Sequence, residues 1–357
     1  MIKKLTHLAV LISVFLGANS AFAQGYETIV KGLDNPWAME FLPNEDILIT
    51  ERTGQLRIVR DGKLLDAPVQ NVPDSYYAGQ GGLLDIKLDI NFADNQRLYL
   101  SFAHGKRSAN SARLISAKLV ASDDGYSLEN INVLFSSQPE KRTAHHYGAR
   151  IEQMADSTLV MTVGDGFNYR EQAQTLDNHF GKIIRINTDG SIPKDNPFVE
   201  TKDALPEIYS FGHRNQQGLA IIDNQLFEHE HGPRGGDEVN RITPGSNFGW
   251  PIATFGIDYN GARISPFSSY EGTVSPLVDW TPSIAPSAMT AKGEYLYVTS
   301  LAEGSIRKLE VTPSEVNDLG VVFPELSMRL RDIAVGLDGR LYVLTDGSSG
   351  KLIKIVE

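Results

Sequence analysis

Four stretches of this 357-residue chain carry polar side chains in patterns that could do chemistry. They read Gly79-Gln80-Gly81-Gly82, His145-His146-Tyr147-Gly148, Gly212-His213-Arg214-Asn215-Gln216-Gln217-Gly218 and Arg329-Leu330-Arg331-Asp332. A histidine in a cleft is the side chain most easily tuned to accept a proton near neutral pH. Arginines and an asparagine beside it make a cradle for carboxylates, or for negative charge that grows in a transition state. Together these residue types suit an anionic cofactor or substrate held next to a base.

A fifth stretch, Glu230-His231-Gly232-Pro233-Arg234-Gly235-Gly236-Asp237-Glu238, offers different chemistry. Gly-Pro followed by Gly-Gly frees backbone carbonyls to point at one spot, and Asp237 and Glu238 add carboxylates. That is the oxygen-only mixture calcium prefers, although a glycine loop with surface acids would read the same way. His145-His146 does not read as a metal pair, because neighbours on a strand point to opposite faces and no third ligand stands at ligand spacing. Dinucleotide, Walker, zincin and hydrolase-elbow motifs do not occur. The chain has no cysteine, which removes thiol nucleophiles, thiolate metal sites and disulfides. Asp165-Gly166 and Asp346-Gly347 read as turns.

The elements that must position these loops are short and repeat. An apolar-x-apolar segment recurs around Leu48, Leu98, Leu159, Leu226, Leu296 and Leu341, at spacings of 50, 61, 67, 70 and 45 residues. Most copies are followed by a partner such as Gly181–Ile186 and preceded by a small-residue apolar segment such as Gly148–Ile151. No helical period is sustained. Strand units at this period are the mark of propeller blades. The expectation is all-β: a six-bladed β-propeller with blades of four antiparallel strands. Glu27–Val30 precedes the first inner strand and is expected to pair with the last blade, closing the ring. A β-sandwich or a two-domain split is the alternative. Each polar loop enters an inner strand, so Gln, His, Arg, Asn and Arg converge on one axis; blade five enters through Trp280-Thr281-Pro282 and Ala285-Pro286-Ser287.

Residues 1–23 read as a secretory signal peptide: Lys3 and Lys4, an apolar run over Leu8–Gly17, and Ala21-Phe22-Ala23 as a small-x-small cleavage site. Residues 24–357 then form a single propeller domain, exported to the periplasm. The full chain has 33 basic and 44 acidic side chains, net -11, and cleavage makes it more acidic by two. That balance argues against phosphate-gripping nucleic-acid binding. No later stretch is long and apolar enough for membrane insertion. A monomer is expected.

The quoted stretches, with Asn247-Phe248-Gly249-Trp250-Pro251 and Leu341-Tyr342-Val343-Leu344-Thr345-Asp346, resemble the soluble pyrroloquinoline-quinone-dependent aldose sugar dehydrogenases, a family of six-bladed propellers. The resemblance spans the chain beyond the leader. It implies oxidation of aldose sugars at C1 to lactones, with pyrroloquinoline quinone (PQQ) and Ca2+ as cofactors and an unidentified electron acceptor. His146 matches the family's general base. Gln80, Arg214, Asn215, Arg329 and Arg331 match cofactor-binding positions, with Arg331 also stabilising charge on the quinone oxygen. The carbonyls of Gly232 and Pro233 match ligands of the quinone-bound calcium. Glu238 and the carbonyl of Phe248 match a second calcium site. Tyr259 and Trp280 are expected as pocket walls.

Two departures stand out. Glucose-specialised members carry a lysine where this chain has Ala302, and a tyrosine three residues before the tryptophan, where it has Leu277. The expectation is therefore broad aldose specificity. A calcium-dependent lactonase using His146 on water, and a non-catalytic sugar-binding propeller, are the readings from other classes. A neutral lactone, however, needs no set of three arginines.

Overall fold

Short apolar runs, broken by glycine and acidic turns, form strands packed on both faces: Ile47–Glu51, Leu159–Val163 and Lys182–Ile186 are buried at every residue. In the computed structural model, which describes residues 25–122 and 125–356, these strands build six four-stranded antiparallel sheets. The expected signal peptide lies outside the described residues.

After β1 (Gly25–Leu33), blade one is β2 (Pro36–Phe41), β3 (Ile47–Glu51), β4 (Leu56–Arg60) and β5 (Lys63–Leu64). Blade two is β6 (Leu83–Leu88), β7 (Arg97–Lys106), β8 (Ala109–Ser122) and β9 (Gly125–Ser136). Blade three is β10 (Gly148–Gln153), β11 (Leu159–Val163), β12 (Lys182–Ile186) and β13 (Ile208–Phe211). Blade four is β14 (Gln216–Ile222), β15 (Gln225–Glu230), β16 (Asp237–Ile242) and β17 (Val278–Trp280). Blade five is β18 (Pro286–Lys292), β19 (Tyr295–Ser300), β20 (Ile306–Val311) and β21 (Val316–Val322). Blade six is β22 (Leu330–Val335), β23 (Leu341–Thr345) and β24 (Gly350–Val356), completed by β1. The pairing of Thr28 with Ile353 and Val30 with Leu352 is the ring closure expected from the sequence, and it covers the outer edge of β24.

The six inner strands β2, β6, β10, β14, β18 and β22 pack against one another in cyclic order around the axis. Each carries a register shift at its entry: Pro36/Ala38, Leu83/Ile86, Gly148/Ile151, Gln216/Gly218, Pro286/Ala288 and Leu330/Asp332. A bulge bends the strand and re-aims its side chains, so the repeated device turns the entry residues toward the axis. Hydroxyls rivet these bulges. The Thr50 hydroxyl accepts from the Ala38 N–H at 3.0 Å and donates to the Leu84 carbonyl of the next blade at 2.6 Å. Ser101 likewise accepts from Asp85 N–H and donates to Ala149.

Midway down the axis Arg150 plugs the channel. Its guanidinium meets Asp332 at 2.9 Å and Asp85 at 3.3 Å, donates to the carbonyls of Gln217 and Ser287, and lies 3.9 Å from the Trp37 ring. Five of the six blades thus tie to one side chain. The entry ends of the inner strands face one mouth of the channel, and their exit ends face the other.

Candidate functional site

His146 stands at the entry of β10 and is 5% exposed. Its φ of 50° is in the left-handed region, which non-glycine residues rarely adopt, and such strain concentrates at functional sites. Three contacts hold it. Its N–H donates to Gln80 Oε1 at 2.7 Å, its carbonyl accepts from Lys141 Nζ at 3.1 Å, and its Nδ1 lies 2.7 Å from Asp165 Oδ1. With a carboxylate accepting at Nδ1, the neutral ring carries its proton there and leaves the Nε2 lone pair free. Burial, helped by the positive charges of Arg214 and Lys141, lowers the imidazole pKa to about 4, so the ring is unprotonated at neutral pH. Burial alone would raise the Asp165 carboxyl, but the His146 hydrogen bond and the Arg214 charge hold it below the usual range. Asp165 Oδ2 also accepts from Trp250 Nε1 at 2.8 Å. The result is an oriented base.

Two adjoining hollows open beside it, and the Arg214-Asn215 dipeptide contributes one side chain to each. The histidine hollow, about 340 Å³, is lined by His146, Asp165, Phe167, Arg214, Trp250 and Tyr259, among others. Arg214 is spread over several partners there: it donates to the carbonyls of His231 and Gly232 at 2.8 Å, and to the Tyr259 hydroxyl at 3.3 Å. The arginine hollow, about 280 Å³, is lined by Arg52, Gln80, Asn215, Arg329, Arg331 and Asp346, among others. Arg331 bonds Asp346 Oδ1 and Arg329 bonds Oδ2, each through two nitrogens at 2.8 and 3.0 Å. Three guanidiniums against one carboxylate leave a net charge of two positive units facing that hollow. Burial lowers the pKa of the Arg331 and Arg52 guanidiniums, the mark of cations held short of solvent.

The loop from Gly232 to Gly236 is wound so tightly that a β-carbon on Gly232 would sit 2.2 Å from the Gly235 carbonyl oxygen. Asp237 pins it, accepting from Gly232 N–H at 2.9 Å and from Ser283, Ile284 and Ala285. Pro233 faces the histidine hollow. The Gly232 carbonyl already accepts from Arg214 and keeps one lone pair for another partner.

Glu238, on the opposite face of β16 from Asp237, belongs to a buried cluster with Glu228, Glu230, Asn240 and His213, and Phe248 stacks on His213 at 4.7 Å. Burial raises the pKa of all three carboxyls, and their mutual repulsion adds to it for Glu228 and Glu238. Among the described residues neither Glu228 nor Glu238 pairs with a lysine or arginine. Glu228 Oε2, Asn240 Oδ1 and His213 Nδ1 are buried without a hydrogen-bond partner. Such a set of orphaned oxygens fits a hard cation. Calcium chemistry suits the carboxylates and the amide better than the imidazole.

The structure therefore brings Gln80, His146, Arg214, Asn215, Tyr259, Arg329 and Arg331 to one mouth of the propeller, with Gly232 and Pro233 beside them. Trp280 is a correction. It ends β17, an outer strand, its ring is buried in the core between blades four and five, and its Nε1 donates to Asp318 at 2.9 Å. The tryptophan at the hollow is Trp250. Leu277 packs against the same core, so its exchange for tyrosine does not alter a hollow wall. Ala302 bonds through its backbone to Ile284, and its neighbour Leu301 offers its carbonyl to Arg329 at 3.2 Å. Asp165 and Asp346, read from sequence as turn residues, are the partners of the base and of two arginines. The available signal was their shared place in the repeat: each follows a second strand, whose exit lies antiparallel beside an inner-strand entry.

Residues 33–354 match the family described as glucose/sorbosone dehydrogenase. The aldose sugar dehydrogenase YliI of Escherichia coli K12 is 38% identical over 343 residues, covering 92% of each chain. The crystal structure of the soluble aldose sugar dehydrogenase from Escherichia coli, in its apo form, superposes with a TM-score of 0.89 at 37% identity, covering 93% of this chain and 99% of that one. The PQQ-bound aldose sugar dehydrogenase of Streptomyces coelicolor superposes with a TM-score of 0.76 at 25% identity, covering 92% and 97%.

Proposed function

The chain belongs to the glucose/sorbosone dehydrogenase family of sugar-oxidising enzymes, and on that premise we propose that it oxidises aldoses at C1 to lactones with PQQ and calcium. The observation that carries the reading is the pairing of an oriented, unprotonated His146 with a hollow of uncompensated guanidiniums beside it. Arg52, Arg329, Arg331, Gln80 and Asn215 fit a flat polycarboxylate such as PQQ. The carbonyls of Gly232 and Pro233 fit one calcium, and Glu238 with Glu228, Glu230 and Asn240 fits a second, structural one, beside Phe248. When bound, the quinone supplies the hydride acceptor and its calcium a Lewis acid.

The protein's own part is proton handling and positioning. His146 Nε2 takes the proton of the anomeric hydroxyl as the C1–H bond breaks with its electron pair, and C1 becomes the lactone carbonyl. Asp165 holds the imidazole tautomer and stabilises the imidazolium that results. Arg331, kept in place by Asp346, faces negative charge that grows on the acceptor side. Tyr259, 56% exposed and bonded to Arg214, bounds the hollow.

Purified apoprotein given calcium and PQQ should reduce an artificial dye when an aldose is added. Lactone hydrolysis without dye reduction under any sugar would replace this reading with the hydrolytic one. Residues 1–23 are proposed as a signal peptide directing the chain to the periplasm as a monomer. Among the described residues no helix is long and apolar enough to cross a membrane. N-terminal sequencing of the exported protein, expected to begin at Gln24, tests the cleavage.

A further inference from the structure

Phe167 lies in the histidine hollow in a conformation that the proton chemistry leaves unexplained. Its φ is 69°, in the left-handed region where a bulky side chain is an outlier, and the residue is 44% exposed. A glycine at this position would remove both liabilities. The backbone is pinned: Phe167 N–H donates at 2.8 Å to Asp165 Oδ1, the same oxygen that holds His146 Nδ1. The ring is thereby set 5.1 Å from the His146 ring, with the two planes at 81°. Its companions along the hollow include Arg214, Pro233, Trp250 and Tyr259.

We propose that Phe167 is a substrate-binding wall, whose ring packs on the C–H face of an aldopyranose while His146 reaches the anomeric hydroxyl. A pyranose presents apolar C–H faces and a polar rim, and an aromatic ring matches the face while leaving the rim to polar partners. One carboxylate oxygen fixes both the wall and the base, so a sugar seated on Phe167 meets the imidazole in a set relation. Backbone strain at an exposed aromatic is retained where the ring has a ligand to meet. This inference rests on the sugar-oxidising reading of the same cleft.

The test compares wild type, Phe167→Gly and Phe167→Trp, each reconstituted with calcium and PQQ. The readouts are KM and kcat for D-glucose and D-xylose, PQQ affinity by fluorescence titration, and Tm. Phe167→Gly suits the backbone, so its Tm and PQQ affinity should match wild type. Its KM should rise about tenfold, where each tenfold is about 1.4 kcal/mol, with kcat within about twofold. Phe167→Trp should keep a low KM. An unchanged KM in Phe167→Gly overturns the proposal. So does a loss confined to kcat with a shifted pH profile, because the ring would then shield His146 instead of holding sugar. Wild type inactive on every aldose takes down both readings, whereas active wild type matched by Phe167→Gly sinks the wall alone.

Discussion

The two mouths of the channel are built from the same six strands and balance their charges in opposite ways. At the exit mouth, a hollow of about 570 Å³ is lined by Glu40, Lys87 and Glu152 above the Arg150 plug. There Lys87 is answered by Glu152 at 2.9 Å and by Glu40 at 3.8 Å. At the entry mouth the two hollows are smaller, yet Arg329 and Arg331 share the single carboxylate of Asp346, Arg52 donates instead to the carbonyls of Gly79 and Gly81, and His146 and Phe167 hold left-handed backbones. Size does not choose the site. The sign of the excess separates the two mouths: guanidiniums outnumber carboxylates at the entry hollow, whereas Glu40, Asp85, Glu152 and Asp332 outnumber Lys87 and Arg150 at the exit.

The comparison breaks first at the base. His146→Ala should lower turnover in the dye assay by at least about 10²-fold, the usual contribution of a positioned base. Near-normal turnover would mean that the proton leaves by another route. Arg331→Gln strips one of the guanidiniums from the entry mouth and should weaken PQQ binding about tenfold or more, measured by titration of the apoprotein. Equal affinity would show that the charge excess serves the fold alone. Calcium at a hundredfold excess over its Kd should stabilise the apoprotein by about 2.7 kcal/mol, read as a higher Tm, and Glu228→Gln should shrink that gain. A calcium-independent Tm would leave the buried acids to be neutralised by protons.

The smallest effect belongs to the exit mouth. Burial raises the Glu40 pKa from 4.5 to about 7 despite the nearby Lys87 charge. A raised acid means the fold disfavours the carboxylate, so wild type loses this group's stability as pH climbs from 4.5 through about 7. Glu40→Gln should therefore gain stability relative to wild type across that window, seen as converging or crossing Tm curves, with sugar oxidation unchanged. A fall in activity would tie the exit mouth to catalysis.

The inner, second and third strands were legible because their apolar alternation repeats with the blade. The fourth strands were less so. Lys63–Leu64 has only two residues, and Val316–Val322 leaves Asn317, Asp318 and Leu319 exposed in a row at an edge where burial does not enforce a pattern. The polar entry loops could be read as convergent because the repeat placed them at one blade position. Asp165 and Asp346 could not, since an Asp-Gly pair has the composition of a turn whether or not its carboxylate has a cation to hold. Arg52 sits in Glu51-Arg52-Thr53-Gly54, again turn chemistry, and its guanidinium reaches the carbonyls of Gly79 and Gly81 only once blades one and two are packed. Trp280 was misplaced because a residue just before Thr-Pro reads as a loop entry, while the fold uses it to end an outer strand.

The seam between β1 and β24 has a consequence for how the molecule is made. Its partners are separated by more than 300 residues, as Thr28 with Ile353 illustrates. Loop-closure entropy for that span is about 5 kcal/mol at (3/2)RT ln n, and none of it is recovered until the final strand exists. Blades one to five can order on local contacts, but the face of β2 toward β22 and the edge of β24 are covered only when the seam forms. Until then the ring is an open arc with an adhesive edge, and the vulnerable interval in this protein's folding is the one just before β1 and β24 meet.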